Sequence, residues 1–198
     1  MNINKNEIQI YVDALKKGEI VLLPTDTIFG MFVKSNNQQS IDNIFTLKKR
    51  NIDKPIGVYF DSINQFCEYV KPELVVTQLA HYIFPGPFTL LIKSNKNFGF
   101  HSKANFSGII GVRVVRSTIL NQIIQFVQSP LCGTSVNLSN DDPAINANQA
   151  KSIFKNLLCF DHENTYEKNN PSSNDSTLNQ PSILVDATDT NNIRLQMR

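Results

Sequence analysis

Apolar residues along this chain gather into short runs and one-sided stripes, separated by polar turns. Ile8, Tyr11, Val12 and Leu15 recur at helical spacing ahead of Gly18, which predicts an amphipathic helix closed by a glycine. The run over 20–23 is short, wholly apolar and stopped by Pro24, the signature of a buried strand. The same criteria predict a helix over 39–48, a strand over 56–60, and helices starting near Asp61 and Pro72, with Asp61 as an N-cap. FPGPFTLLIKS reads as a rigid turn feeding a strand. A strand over 108–115, a helix over 117–128, a strand over 131–135 and a helix over 146–158 follow. The stretch 163–180 is poor in apolar residues and rich in Asn, Ser and Pro, which predicts a long mobile loop before a last strand over 183–186. No internal repeat is present. Strands alternating with helices predict an α/β sheet.

Composition narrows this picture. With 198 residues, 41% of them apolar, the chain can bury one sizeable core, and we expect a single domain over 1–198. Nineteen basic against 17 acidic residues leave a formal charge of +2, so any nucleic-acid binding must come from local clustering. Cys67, Cys132 and Cys159 are odd in number and never in Cys-x-x-Cys spacing, which argues against a disulfide framework and a structural zinc site. His81, His101 and His162 share no spacing with carboxylates or cysteines, so no metal site is expected. The amino terminus lacks the continuous apolar core of a signal peptide, and no run approaches membrane-spanning length. A soluble, cytoplasmic protein is expected.

Chemistry concentrates at two places. Ile41, Ile44 and Phe45 form the apolar stripe of the helix over 39–48, and the next position on that stripe is Lys48. A lysine there either snorkels out at the helix end or serves a concave anionic site, while Arg50 at the helix exit suits the macrodipole. Ser135-Val136-Asn137 adds hydroxyl and amide groups on a turn. Cations from one segment and directed hydrogen bonds from another are what a polyphosphate requires, so these residues suggest a nucleotide site.

The order of motifs is more specific. GEIVLLPTDTIFGM, LKKRNIDKPIGVYF, FPGPFTLLI, GVRV, PLCGTSVNLSN and PSILVD occur in sequence, and together they resemble the threonylcarbamoyl-AMP synthase family of YrdC or TsaC type over nearly all of 18–186. The resemblance implies an open twisted mixed sheet with flanking helices and a concave basic face. It implies condensation of L-threonine, bicarbonate and ATP to L-threonylcarbamoyl-AMP and pyrophosphate, the first step of threonylcarbamoyladenosine synthesis in tRNA. Mg²⁺ would arrive with ATP, on the hard oxygens of the phosphates. The implied partners are tRNA and the proteins that transfer the threonylcarbamoyl group.

Carried over by motif, Lys48 and Arg50 match the family's Lys-x-Arg, and Ser135 with Asn137 its Ser-x-Asn, the pair that grips the nucleotide. Lys54 matches a further ATP contact, and Arg194 lies near a carboxy-terminal arginine that meets ATP. Thr25 and Thr27, in the strand exit after Pro24, would face threonine, and Arg113 would pair bidentately with its carboxylate. Ser182 matches the serine of the last motif. Tyr59 stands where many members carry a histidine near the threonine pocket, Val115 replaces a usual proline, and Ile183 replaces a threonine. The length matches the short, single-domain members.

On residue type alone, Thr25, Thr27, Asn137 and Ser139 also suit turn hydroxyls and amides, and Arg113 a strand position on a solvated face. Phe84 and Phe88 suit the core. An RNA-binding module using the basic face for double-stranded RNA, or a carbamoyl-transfer domain of hydrogenase-maturation type, would share the fold. Neither the zinc-finger nor the acylphosphatase parts expected beside the latter accompany this sequence.

Overall fold

The computed structural model describes residues 5–94, 102–139, 141–161 and 179–197. Helix α1 (Lys5–Lys17) buries Ile8, Tyr11, Val12, Ala14 and Leu15, and ends as Gly18 adopts φ 85°, a conformation that side chains resist. Strand β1 (Val21–Leu23) then pairs antiparallel with β2 (Gly30–Lys34). Helix α2 (Gln38–Lys48) is capped by the Asn37 side chain, which accepts from Ser40 N at 3.0 Å, and β3 (Gly57–Phe60) follows. Next come α3 (Ile63–Val70), α4 (Leu74–Ile83), β4 (Phe88–Lys93), β5 (Asn105–Phe106) and β6 (Ile109–Val114). The chain continues through α5 (Thr118–Val127), β7 (Leu131–Ser135), α6 (Ala147–Ile153), β8 (Leu158–Cys159), β9 (Ile183–Asp186) and β10 (Arg194–Gln196).

The strands form one mixed sheet in the order β10-β9-β4-β6-β3-β7-β2-β1-β8, with β5 beside β6. Alternation along the strands divides the apolar residues between two cores. Val21 and Leu23 join Phe32, Tyr59 and Leu131 beneath α1 and α5, whereas Leu22 joins Met31, Val58, Leu90 and Val112 on the side of α2, α3 and α4. The core under α1 and α5 holds no residue of β4, β9 or β10. Helix cover on that side therefore stops near β3. The open mixed sheet with flanking helices is the expected fold class.

Several local expectations need correction. Ser62, not Asp61, caps α3: its Oγ accepts from Gln65 N at 3.1 Å, while the Asp61 carboxylate accepts from the Ser62 hydroxyl at 2.5 Å. The helix expected over 146–158 stops at Ile153, because Phe154 leaves helical geometry to become buried, and Leu158–Cys159 instead pairs parallel with β1. Strands β2 and β10 were not anticipated. Most of the loop expected over 163–180 lies outside the described residues, as do His101 and His162. Phe84 is buried, and Phe88 is half-buried against the same core.

Candidate active site

The end of α2 turns sharply, because Lys49 takes the left-handed conformation at φ 50° and its N–H returns to the Phe45 and Thr46 carbonyls. Lys48, the residue before the turn, is only 1% exposed. Snorkelling is thereby excluded. Its Nζ donates to the Ser135 carbonyl, to the Asn137 carbonyl at 2.8 Å and to Asn137 Oδ1 at 2.6 Å. Ser135 Oγ donates to the same Oδ1 at 2.6 Å, and Asn137 Nδ2 donates to the Asp141 carbonyl at 2.6 Å. The lysine of one motif and the Ser-x-Asn turn of the other are thus a single bonded unit, although 89 positions separate Lys48 from Asn137. Burial, and then the nearby Arg50 charge, push the Lys48 ammonium down to about 7. An anion brought beside it would raise that value again.

Arg50 straightens the next loop. Its Nε donates to the Lys54 carbonyl at 2.8 Å and its Nη2 to the Pro55 carbonyl at 2.9 Å. Lys54 itself is exposed.

The second cluster forms where the segment after β1 meets β6. Arg113 is 4% exposed, and its Nη2 pairs with Asp26 Oδ1 at 2.8 Å while Nη1 donates to Thr27 Oγ1 at 3.1 Å. Its guanidinium lies 5.4 Å from the Tyr59 ring centroid, Tyr59 being its register partner on β3. The solvated-face reading of Arg113 fails on this burial. Thr25 Oγ1 donates to the Ile28 carbonyl at 2.7 Å, so it accepts from Thr27 Oγ1 at 2.9 Å and from Thr27 N at 3.1 Å. A hydroxyl has one proton and two acceptor sites, so Thr25 is fully committed within the protein. Thr27 gives its proton to Thr25 and accepts from Arg113, which leaves it one acceptor site and no proton to offer a ligand. Tyr59 packs its ring edge-on against Phe32 with centroids 4.9 Å apart. Ser182 Oγ and Thr89 Oγ1 lie 2.7 Å apart, both buried, and Thr89 precedes Leu90, the register partner of Val112 beside Arg113.

Arg194 does not join either cluster. It lies on β10 opposite Asp186, with four strands between it and β7, and the Asp186 carboxyl is held low by Thr188 hydrogen bonds and secondarily by Arg194. Two buried residues, Asp26 and Thr89, were not singled out from the sequence. The available signal for Asp26 was a carboxylate between two threonines just after a buried strand.

These motifs have counterparts. The family model Sua5_yciO_yrdC, described as "Telomere recombination", matches residues 13–184. This chain belongs to that family. A protein of Pseudoalteromonas atlantica named threonylcarbamoyl-AMP synthase is 28% identical over 161 residues, covering 80% of this chain and 85% of that protein. The crystal structure of E. coli YciO superposes with a TM-score of 0.82 at 16% identity, covering all of this chain and 91% of that one. P. abyssi Sua5 complexed with L-threonine gives a TM-score of 0.80 at 21% identity, covering 94% of this chain; the chain spans about half, 52%, of that longer one. At these identities the two structures speak to the fold.

Proposed function

We propose that this chain is an L-threonylcarbamoyladenylate synthase, a nucleotidyltransferase that joins L-threonine, bicarbonate and ATP into L-threonylcarbamoyl-AMP and pyrophosphate for modification of tRNA. Relatives named threonylcarbamoyl-AMP synthase support the reading. The observation that carries it is the presence, on one sheet, of a buried lysine bonded to a Ser-x-Asn turn and a buried arginine whose Nε has no hydrogen-bond partner among the described residues. The first suits phosphates and the second a carboxylate.

In this reading the threonine amine attacks the bicarbonate carbon, the N–C bond forms, a C–O bond breaks and water leaves, giving a carbamate. Its oxygen attacks the α-phosphorus of ATP, the bond from that phosphorus to the bridging oxygen breaks, and pyrophosphate leaves. No covalent enzyme intermediate is required, so the protein's work is alignment and neutralisation of charge. Arg50 and Lys54 meet the phosphates, Ser135 and Asn137 complete the nucleotide contacts, and Lys48, whose three N–H groups are taken by that turn, contributes its charge through it; Arg194, on β10, takes no part in this arrangement. Arg113 takes the threonine carboxylate, Thr27 accepts from a substrate donor, Thr25 holds Thr27, and Tyr59 and Ser182 border the amino acid. Mg²⁺ accompanies ATP and pyrophosphate. The setting is cytoplasmic, with tRNA and the threonylcarbamoyl-transferring proteins downstream; among the described residues no helix is long and apolar enough to cross a membrane. Pyrophosphate release measured with threonine and bicarbonate omitted in turn tests the reading. Release should fall to background in both omissions, and release indifferent to threonine would overturn it.

A further inference from the structure

Asp26 makes two contacts that together set where Arg113 points. Its Oδ1 accepts from Arg113 Nη2 at 2.8 Å, and its Oδ2 accepts from the backbone N–H of Arg116 at 2.9 Å. The carboxylate is 8% exposed, so it is a buried charge whose two oxygens are each tied to an N–H donor. It is thereby unsuited to removing a proton from substrate. Because Arg116 follows β6 at the entrance to α5, its N–H is part of the rigid frame, and Asp26 transmits that frame to the end of a long, otherwise flexible arginine.

The remaining contacts complete the restraint. Thr27 Oγ1 accepts from Nη1, and the Tyr59 ring lies against the guanidinium. Of five donors, two are then engaged by Asp26 and Thr27. Arg113 Nε is buried and has no hydrogen-bond partner among the described residues. An unpaired buried N–H costs stability, so its retention in a site otherwise well bonded points to a ligand. In a guanidinium, Nε–H and the neighbouring Nη–H share one edge, the edge that pairs bidentately with a carboxylate.

Resting on the functional reading above, we propose that Asp26 is the positioning residue of the amino-acid half of the site, holding Arg113 so that its Nε edge stays open to the substrate carboxylate. Asp26 is also the counter-charge that makes a buried arginine tolerable before substrate arrives. A purely structural role, fastening the 24–29 loop to the start of α5, would impair folding and both substrates alike. A positioning role falls on threonine alone.

The test uses the full chain and reads KM for threonine and KM for ATP in pyrophosphate release, with melting temperature alongside, for Asp26→Asn, Asp26→Glu, Arg113→Met and the Asp26→Asn/Arg113→Met double variant. Asp26→Asn is expected to raise KM for threonine at least tenfold while KM for ATP stays within twofold. The double variant should be no worse for threonine than Arg113→Met, since Asp26 acts through Arg113. If Asp26→Asn does not fold, Asp26→Glu decides: it keeps the charge but displaces the guanidinium by one methylene, and should raise only the threonine KM, by about three- to tenfold. Wild-type release that ignores threonine overturns the functional reading and this proposal with it. Threonine-dependent wild-type turnover, combined with equal rises in both KM values or a threonine KM within twofold of wild type, overturns the proposal alone.

Discussion

Lys48 carries the sharpest residue-scale consequences. Its three oxygen partners all come from the Ser-x-Asn turn, so removing its charge also releases that turn. In the proposed roles, Lys48→Ala and Arg50→Ala should each lower turnover by about ten- to a thousandfold, the usual effect of deleting a preorganised charge at a developing anion. Lys49→Ala, at an exposed position off the stripe, should be nearly silent. Initial rates of pyrophosphate release distinguish this pattern from three equal losses, which would mean a diffuse basic patch. The same lysine predicts a dependence of stability on pH. Its folded pKa of about 7 lies below its unfolded value, so between about pH 7 and 9 the unfolded chain binds more protons and stability rises with pH, with a slope approaching about 1.4 kcal/mol per unit. Above about pH 9 the buried thiols of Cys132, pushed up to about 12, and Cys159, to about 11, act oppositely, because the unfolded chain releases protons that the folded chain retains. Denaturant midpoints from pH 7 to 8.5 should therefore climb in wild type and stay flatter in Lys48→Met. Parallel slopes would mean that Lys48 is not the titrating group.

Among the elements, the middle of the sheet is built for close approach. Phe32 on β2 lies across β7, so a Cβ at Gly133 would stand 2.4 Å from Phe32 Cε1 and 3.1 Å from Tyr59 Cε2. At Gly111 on β6 a Cβ would meet only Thr89 Cγ2 at 3.3 Å and Leu91 Cδ2 at 3.4 Å. Gly133→Ala should then cost about 1–3 kcal/mol by overpacking, and Gly111→Ala clearly less, read from thermal or urea unfolding. Similar losses at both positions would contradict the packing described. Such ring placement was not legible in the sequence, whereas the strands themselves largely were. The run 20–23 is apolar on both faces and stopped by Pro24, and 131–135 follows Pro130 as a mostly buried segment; both formed strands as expected. Strand β2 was missed because Gly30 opens it and a turn-forming Pro-Thr-Asp-Thr segment precedes it, so its identity rests on pairing with β1 and β7. Strand β10 carries three exposed residues and no core pattern, and only its pairing with β9 defines it. Lys48 was legible as a cation aimed along the buried face because it occupies a stripe position. Asp26 was not, since its partner lies 87 positions away and only the sheet joins them.

At the scale of the whole molecule, the sheet order explains why two chemistries share one chain. Strand β3 lies between β6 and β7, so Arg113 on β6 and the Ser-x-Asn turn leaving β7 stand on either side of the strand that carries Tyr59. Helix cover from α1 and α5 ends near this strand. In the proposed roles, Arg113 holds a substrate by its carboxylate and the Lys48 cluster holds a nucleotide by its phosphates. In the proposed reaction a carbonyl derived from bicarbonate is joined to both threonine and AMP. Mass spectrometry of the product formed from ATP, L-threonine and ¹³C-bicarbonate tests this directly. The expected product is a threonylcarbamoyl adenylate heavier by the single label, with pyrophosphate in equal amount; AMP or ADP without labelled adenylate would contradict the proposed reaction.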